Sequence, residues 1–154
     1  MKLGGALTTL HDFAGPDGDS PNAGVVQGIN GYLYGTTLYG GANGYGSIFR
    51  ISTTGTLTTL YSFDAGGPNP VAGLIQATDE NFYGTSANGG TYGYGTIFKM
   101  TPAGALSTLH SFAVDEGPYP LAALLQGADG NLYGTTNGVG DYRMGSVFSL
   151  SLGN

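Results

Sequence analysis

Apolar residues in this chain alternate with polar ones or form short runs, and glycine, proline or asparagine bounds most of these runs. The middle of the chain shows this most clearly, with such stretches at residues 73–77, 82–86, 95–100 and 105–112. Alternation and short bounded runs are typical of β-strands, whereas no stretch has the periodicity of an amphipathic helix. We therefore predict an all-β fold.

The four predicted strands belong to a unit that occurs three times. Its clearest marker is Tyr-Gly-Thr, which begins at Tyr34, Tyr83 and Tyr133 and so returns after 49 and 50 residues. A second marker, Leu-Thr/Ser-Thr-Leu, begins at positions 7, 57 and 106. A fixed period of this size indicates a solenoid, propeller or array. Four antiparallel strands per unit favour a β-propeller, with one unit per blade and three blades per chain.

We predict one repeat domain over residues 1–154, with full repeats at residues 21–63 and 70–112. A partial repeat at residues 120–151 has only the first three strands of a blade, while residues 5–13 match the fourth, outer strand alone. The N-terminal strand is therefore expected to close a C-terminal blade.

Closure within one chain would make a ring of three blades, whereas propellers typically have 4–8. We therefore expect a homo-oligomer in which each copy lends its first strand to the last blade of the next copy. Such a head-to-tail contact closes when the rotation per copy divides a full turn. A homodimer would have six blades and a homotrimer nine; six lies inside the usual range, and both remain open.

Composition narrows the classes of function. Thirty glycines and 9% charged residues, beside a 40% hydrophobic fraction, suit short strands and tight turns better than a disordered chain. A net charge of -6 with four scattered bases makes a nucleic-acid partner a poor expectation. No run approaches the ~18 apolar residues of a membrane span, and we expect no signal peptide before the first unit. Since the chain has no cysteine, disulfides and thiolate metal sites are excluded.

The combined motif has a recognisable family resemblance. Residues 131–136 (Asn-Leu-Tyr-Gly-Thr-Thr), 95–99 (Gly-Thr-Ile-Phe-Lys) and 106–112 (Leu-Ser-Thr-Leu-His-Ser-Phe) together form a pattern that resembles the GloVer (Gloeo-Verruco) tandem repeat. The resemblance implies a propeller-like fold and a bacterial protein that is secreted or on the cell surface. It implies no activity and supplies no catalytic residue. The chain differs from the family's long repeat runs in having three repeats.

The loops at residues 38–45, 87–94 and 137–144 should emerge on the same face as the loops between units, which vary in length. Tyrosine rings beside amides and carboxylates there suit a neutral sugar, which needs an apolar platform and hydrogen-bonding groups. The candidate ligand-binding residues are Tyr39, Asn43, Asn88, Tyr92, Asp141 and Tyr142. In the alternative interpretation the glycines shape the loops and the tyrosines pack between blades. Tyr45 and Tyr94 are the expected packers.

Other polar positions suggest weaker hypotheses. The innermost predicted strand ends in glutamine in every unit, at Gln27, Gln76 and Gln126. These side chains either line the ring axis or, as we prefer, hydrogen-bond the adjacent turn. His11 and His110 are expected to be packing or edge residues, and residues 17–20 (Asp-Gly-Asp-Ser) a solvated loop rather than a calcium site.

Two function classes survive. The first is a non-catalytic propeller scaffold that assembles with itself, and we favour it because every strong signal is architectural. The second is a multivalent glycan-binding module. We expect no enzyme activity, catalytic residue, metal or cofactor, and neither nucleic acid nor a membrane as a partner.

Overall fold

The computed structural model of the chain describes residues 4–66, 69–138 and 144–153. Within these ranges the protein is all-β without a helix, which confirms the predicted class. The strands form three antiparallel sheets of four, four and three strands, and none of the sheets closes on itself.

Each sheet is a meander in which strands adjacent in sequence pair with each other. The first sheet contains β1 (Val26–Gln27), β2 (Leu33–Thr37), β3 (Ser47–Ile51) and β4 (Leu57–Ser62). The second sheet contains β5 (Ile75–Gln76), β6 (Phe82–Ser86), β7 (Thr96–Met100) and β8 (Leu106–Ser111). The third sheet contains β9 (Leu125–Gln126), β10 (Leu132–Thr136) and β11 (Ser146–Leu150).

The four strands predicted in the middle repeat are all present, although β5 is two residues long where five were predicted at residues 73–77. Only Ile75 and Gln76 pair with β6. Just before the predicted strand, the backbone carbonyl of Ala72 accepts a hydrogen bond of 3.1 Å from Thr36 Oγ1 of β2, which links this segment to the first sheet.

The core consists of two apolar clusters, one at each junction between neighbouring sheets. Phe82 and Phe98 of the second sheet point into the cluster shared with the first sheet. Tyr83 follows Phe82 on β6 and Ile97 precedes Phe98 on β7. Both point into the cluster shared with the third sheet. Because successive side chains of a strand point to opposite faces, the second sheet is apolar on both.

The outer strands carry a β-bulge at the same place in both complete sheets. The register between β3 and β4 shifts after Ile48, so that Ile48 opposes Tyr61 while Phe49 opposes Thr59 and Leu60 has no opposite residue. The pairing of β7 with β8 shifts at the matching point. An extra residue on one strand increases the local twist.

The N-terminal residues 5–13, predicted as an outer strand, pair with no strand among the described residues. They nevertheless lie beside the first sheet as β4 lies beside the second. If Gly55 carried a Cβ atom, that atom would lie 2.5 Å from the Leu10 carbonyl oxygen. A Cβ atom at Gly104, the matching glycine of the second sheet, would lie 2.8 Å from the Leu60 carbonyl oxygen of β4. Their role in closing a blade stays a prediction.

We predict that Gly84→Ala destabilises the protein by about 1–3 kcal/mol, the usual range for overpacking a core. A Cβ atom at Gly84 would lie 2.5 Å from Phe98 Cζ and 2.9 Å from Leu74 Cδ2. The control is Gly24→Ala, since position 24 is open and Ala123 occupies the matching position of the third unit. Urea denaturation at one protein concentration compares both variants with the wild type. Equal midpoints for the two variants would contradict the packing argument.

Candidate functional site

The loops before β3 and β7 share one backbone shape. Both have positive φ at three matching glycines: Gly40 (73°), Gly41 (76°) and Gly44 (84°), and Gly89 (81°), Gly90 (77°) and Gly93 (79°). Glycine is favoured at such angles because it has no Cβ to clash with the backbone. The two loops therefore present their remaining side chains at equivalent places.

Each loop is tied at its tip to the outer strand of its own sheet. The backbone N–H of Ala42 donates to Ser62 Oγ at 3.1 Å, and that of Thr91 donates to Ser111 Oγ at 3.2 Å. Both serines stand at the end of their outer strand. The loop positions are therefore set by the repeat itself.

The loops between units lie on this same face, as predicted. The backbones of Asp19 and Tyr39 exchange two hydrogen bonds, of 2.8 and 3.0 Å. One unit later the Ala87 N–H donates to the Asn69 carbonyl at 3.2 Å. The two kinds of loop therefore form one continuous surface, which we call the loop face.

The predicted ligand-binding residues are spread over the loop face. The Tyr39 side chain is 49% exposed and that of Tyr92 is 60% exposed. Asn43 Nδ2 donates to Asp64 Oδ1 at 2.7 Å, and Asn88 is exposed. Among the described residues, no hydrogen bond or ring contact joins any two members of the predicted set. Asp141 and Tyr142 lie outside the described residues.

The two tyrosines expected to pack differ from each other. Tyr94 is half-buried against the second apolar cluster and meets Tyr119 edge to face, with ring centroids 6.2 Å apart. Tyr45 is 42% exposed, so its predicted packing role is wrong. The matching neighbour of Tyr45 in the preceding junction is Asn69, which offers no ring.

In two of the loops between units, a histidine before the loop pairs with an acid inside it. Sequence reasoning did not predict these pairs. His11 Nε2 lies 2.7 Å from Asp17 Oδ2, and His110 Nε2 lies 3.0 Å from Glu116 Oε2. The hydrogen bond from the Ala14 backbone N–H, followed by that from His11, lowers the pKa of Asp17. The repeated six-residue spacing was the signal that could have revealed these pairs. Both pairs brace a loop between units.

The turn before β6 holds a carboxylate in a dense network of donors. Tyr83 Oη, Asn81 Nδ2 and Lys99 Nζ all donate to Asp79 Oδ2, at 2.7, 2.8 and 3.0 Å. Partial burial opposes ionisation, but these hydrogen bonds outweigh it and lower the pKa of Asp79 to about 2. A general acid needs a pKa near the working pH. Asp79 is therefore suited to holding its turn rather than to proton transfer.

The other units repeat this arrangement with changed chemistry. Tyr133 Oη donates to Asp129 Oδ2 at 2.7 Å, whereas in the first unit Asn30 Nδ2 donates to Tyr34 Oη at 2.8 Å. An amide and a carboxylate thus serve at the same position, although their charges differ. This tolerance indicates a structural contact.

The glutamines bind backbone groups, which confirms the preferred hypothesis. Gln76 Nε2 donates to the Glu80 carbonyl of its own turn at 2.8 Å, and Gln76 Oε1 accepts the Ile29 N–H of the preceding unit at 2.9 Å. Gln126 Oε1 likewise accepts the Thr78 N–H at 2.9 Å. Each of these two side chains therefore links its unit to the preceding one by a hydrogen bond.

The described part of the chain has neither a cluster of metal-binding side chains nor a membrane-spanning helix. No group of three or more histidine, aspartate or glutamate side chains is placed to hold a metal ion. No helix there is long and apolar enough to cross a membrane.

Comparison with known proteins assigns the repeat to a family. The family model described as the Gloeobacter/Verrucomicrobia repeat matches residues 1–154, the whole chain. The match confirms the resemblance identified from the sequence markers. No curated protein matches the chain.

We predict that Asp79→Asn lowers the melting temperature at pH 7 and that its difference from the wild type closes as the pH falls to about 2. A folded pKa below the ordinary 3.8 adds stability above that value, and this stability is lost on titration through the folded pKa. The effect is modest because the Asp79 side chain is 39% exposed. Thermal unfolding across this pH range measures it, with the exposed loop acid Asp115 changed to Asn as control. A pH-independent difference would contradict the network's role.

Proposed function

The chain belongs to the Gloeobacter/Verrucomicrobia repeat family, and from this we propose that it is a non-catalytic scaffold that assembles with copies of itself into a β-propeller ring. Each sheet is one blade, and a homodimer of six blades or a homotrimer of nine closes the ring. The observation that carries the proposal is that the two ends of the row of sheets leave apolar faces uncovered, whereas the junctions inside the chain cover the matching positions.

The outer face of the third sheet, which we call the trailing face, includes Leu125, Thr135 and Val147. Val147 is 80% exposed, whereas Ile48 and Ile97 at the matching positions are 0% and 1% exposed. Leu125 is 67% exposed. Because the local sequences are similar and each residue at this position is apolar, the difference arises from the lack of a following sheet.

The outer face of the first sheet, which we call the leading face, includes Val25 and Leu33. Val25 is 52% exposed, whereas Leu74 and Leu124 at the matching positions are 5% and 4% exposed. The leading and trailing faces are thus the two halves of a junction that the chain already forms twice. A head-to-tail contact between copies would form that junction again.

Polar groups on these faces also match. Thr36 Oγ1 donates to the Ala72 carbonyl at 3.1 Å, and Thr85 repeats this contact at the next junction at 3.2 Å. Thr135 holds the same position on the trailing face and is exposed. In the ring its hydroxyl would donate to the Ala23 carbonyl of the following copy. The assembly therefore satisfies polar groups as well as covering apolar ones.

We expect native mass spectrometry to find a multiple of the 15.6 kDa chain, and Val147→Asp to shift it to monomer. A carboxylate at this position would lose its hydration in the apolar junction of the ring, whereas it stays exposed to water in a single copy. The control Val114→Asp changes an equally apolar residue, 49% exposed in a loop, and should keep the oligomer. A wild-type chain that is folded and monomeric would overturn the shared ring.

Glycan binding is the second candidate, and the loop face supports it. The exposed rings of Tyr39 and Tyr92 offer flat apolar platforms, and the Asn43–Asp64 pair places an amide and a carboxylate on the same surface. Equivalent loops around a ring would multiply weak contacts and raise the effective affinity.

For this candidate, a glycan array should show binding that the double variant Tyr39→Ala/Tyr92→Ala loses while keeping the wild-type melting temperature. The control Tyr45→Ala removes a ring of similar exposure outside the predicted set and should retain binding. A blank array for the wild type would reject glycan binding and leave the scaffold proposal standing.

A further inference from the structure

We propose that residues 6–13 of one copy, the donor segment, form the missing outer strand of the third sheet of the neighbouring copy in one defined register. In that register Thr8 lies opposite Ser149, and Leu10 is the extra residue of a β-bulge. The inference rests on the proposed ring and adds the register of the exchanged strand, the position of its bulge and the cleft that receives Leu7.

The register follows from the two complete sheets. Arg50 of β3 opposes Thr58 of β4, and Lys99 of β7 opposes Ser107 of β8. Ser149 holds the matching position on β11, and Thr8 holds it in the donor segment, which begins with the same Leu-Thr-Thr-Leu run as β4. The same pairing therefore aligns Thr8 with Ser149.

The bulge position is repeated as well. Leu60 is unopposed in the first sheet and Leu109 in the second, because each register shifts at that point. Leu10 is the matching residue of the donor segment. With Leu10 unopposed, His11 comes to lie opposite Val147, as Tyr61 lies opposite Ile48.

An apolar cleft along the free edge of β11 provides a place for Leu7 of the donor segment. The cleft has a volume of about 140 Å³, and its apolar walls include Ile97, Phe112, Phe148 and Leu150. At the preceding junction Leu106, the first residue of β8, packs against the apolar cluster. Leu7 matches Leu106 and is 98% exposed in its own copy. We therefore assign the cleft to Leu7 of the neighbouring copy.

The C-terminal end of the donor segment already contacts its own copy. The ring centroids of Phe13 and Phe49 of the first sheet are 5.1 Å apart, much as those of Phe63 and Phe98 of the second sheet are 6.0 Å apart. Residues 6–10 are exposed and pair with no described strand. Their backbone is therefore available for pairing, and addition of a strand to a sheet edge supplies main-chain hydrogen bonds.

A cysteine pair tests the register, since the chain has no cysteine of its own. Directly opposite residues have Cβ atoms about 4.5–5.5 Å apart and diagonal ones about 7–8 Å, and a disulfide needs about 3.5–4.5 Å. Under mild oxidation Thr8→Cys/Ser149→Cys should give a ladder of covalent oligomers that ends at the ring size found by native mass spectrometry. The control Thr8→Cys/Ser151→Cys, displaced by two residues, should cross-link far less.

The outcomes separate this inference from the ring itself. Equal cross-linking of both pairs, or preference for the displaced pair, would overturn the register. A monomeric wild type would overturn the ring first. Leu7→Asp tests the cleft independently, because a side chain that is 98% exposed in one copy is not needed for the fold of that copy. We expect this variant to be folded and monomeric, and an intact ring would reject the assignment of Leu7 to the cleft.

Discussion

The structure depends on stacking of sheets that are apolar on both faces. Phe82 and Ile97 of the second sheet point in opposite directions, and each is at most 1% exposed because a sheet lies on either side. A unit of this kind cannot bury its own apolar surface, so stability comes from its neighbours. The first and third sheets each have a neighbour on one side only within the chain. Their outer faces are therefore exposed in a single chain, as Val25 and Val147 show.

The smaller features serve the same stacking. Gly84 lacks a side chain because the Phe98 ring occupies the space, and Gln76 joins its own turn to the preceding unit. The carboxylate of Asp79 holds a turn and bonds Tyr83, which packs at the other junction of the second sheet. The side chains of the loop face vary more from one unit to the next, since Tyr39, Asn88 and Gly138 stand at matching positions.

Sequence reasoning was most successful where the signal was local and repeated. It identified the four strands of the middle unit and the shared face of the loops, because alternation and turn residues encode them directly, whereas residues 5–13, predicted as an outer strand, pair with no strand among the described residues. It overestimated β5, since only Ile75 and Gln76 of the five predicted residues pair with β6. It misassigned Tyr45 because a packing role depends on the residue across the junction. The pairing of His11 with Asp17 was missed, although its spacing recurs at His110 and Glu116.

The sequence by itself determined the strand pattern and the period, because both follow from residues close together in the chain. The tertiary structure decided which equivalent residues are buried. Ile48, Ile97 and Val147 stand at the same position of three similar units, yet their exposures are 0%, 1% and 80%. Burial depends on a neighbour supplied by a distant part of the chain. Similar sequences form similar strands in every unit. Whether a given side chain is buried depends on whether another sheet packs against that unit.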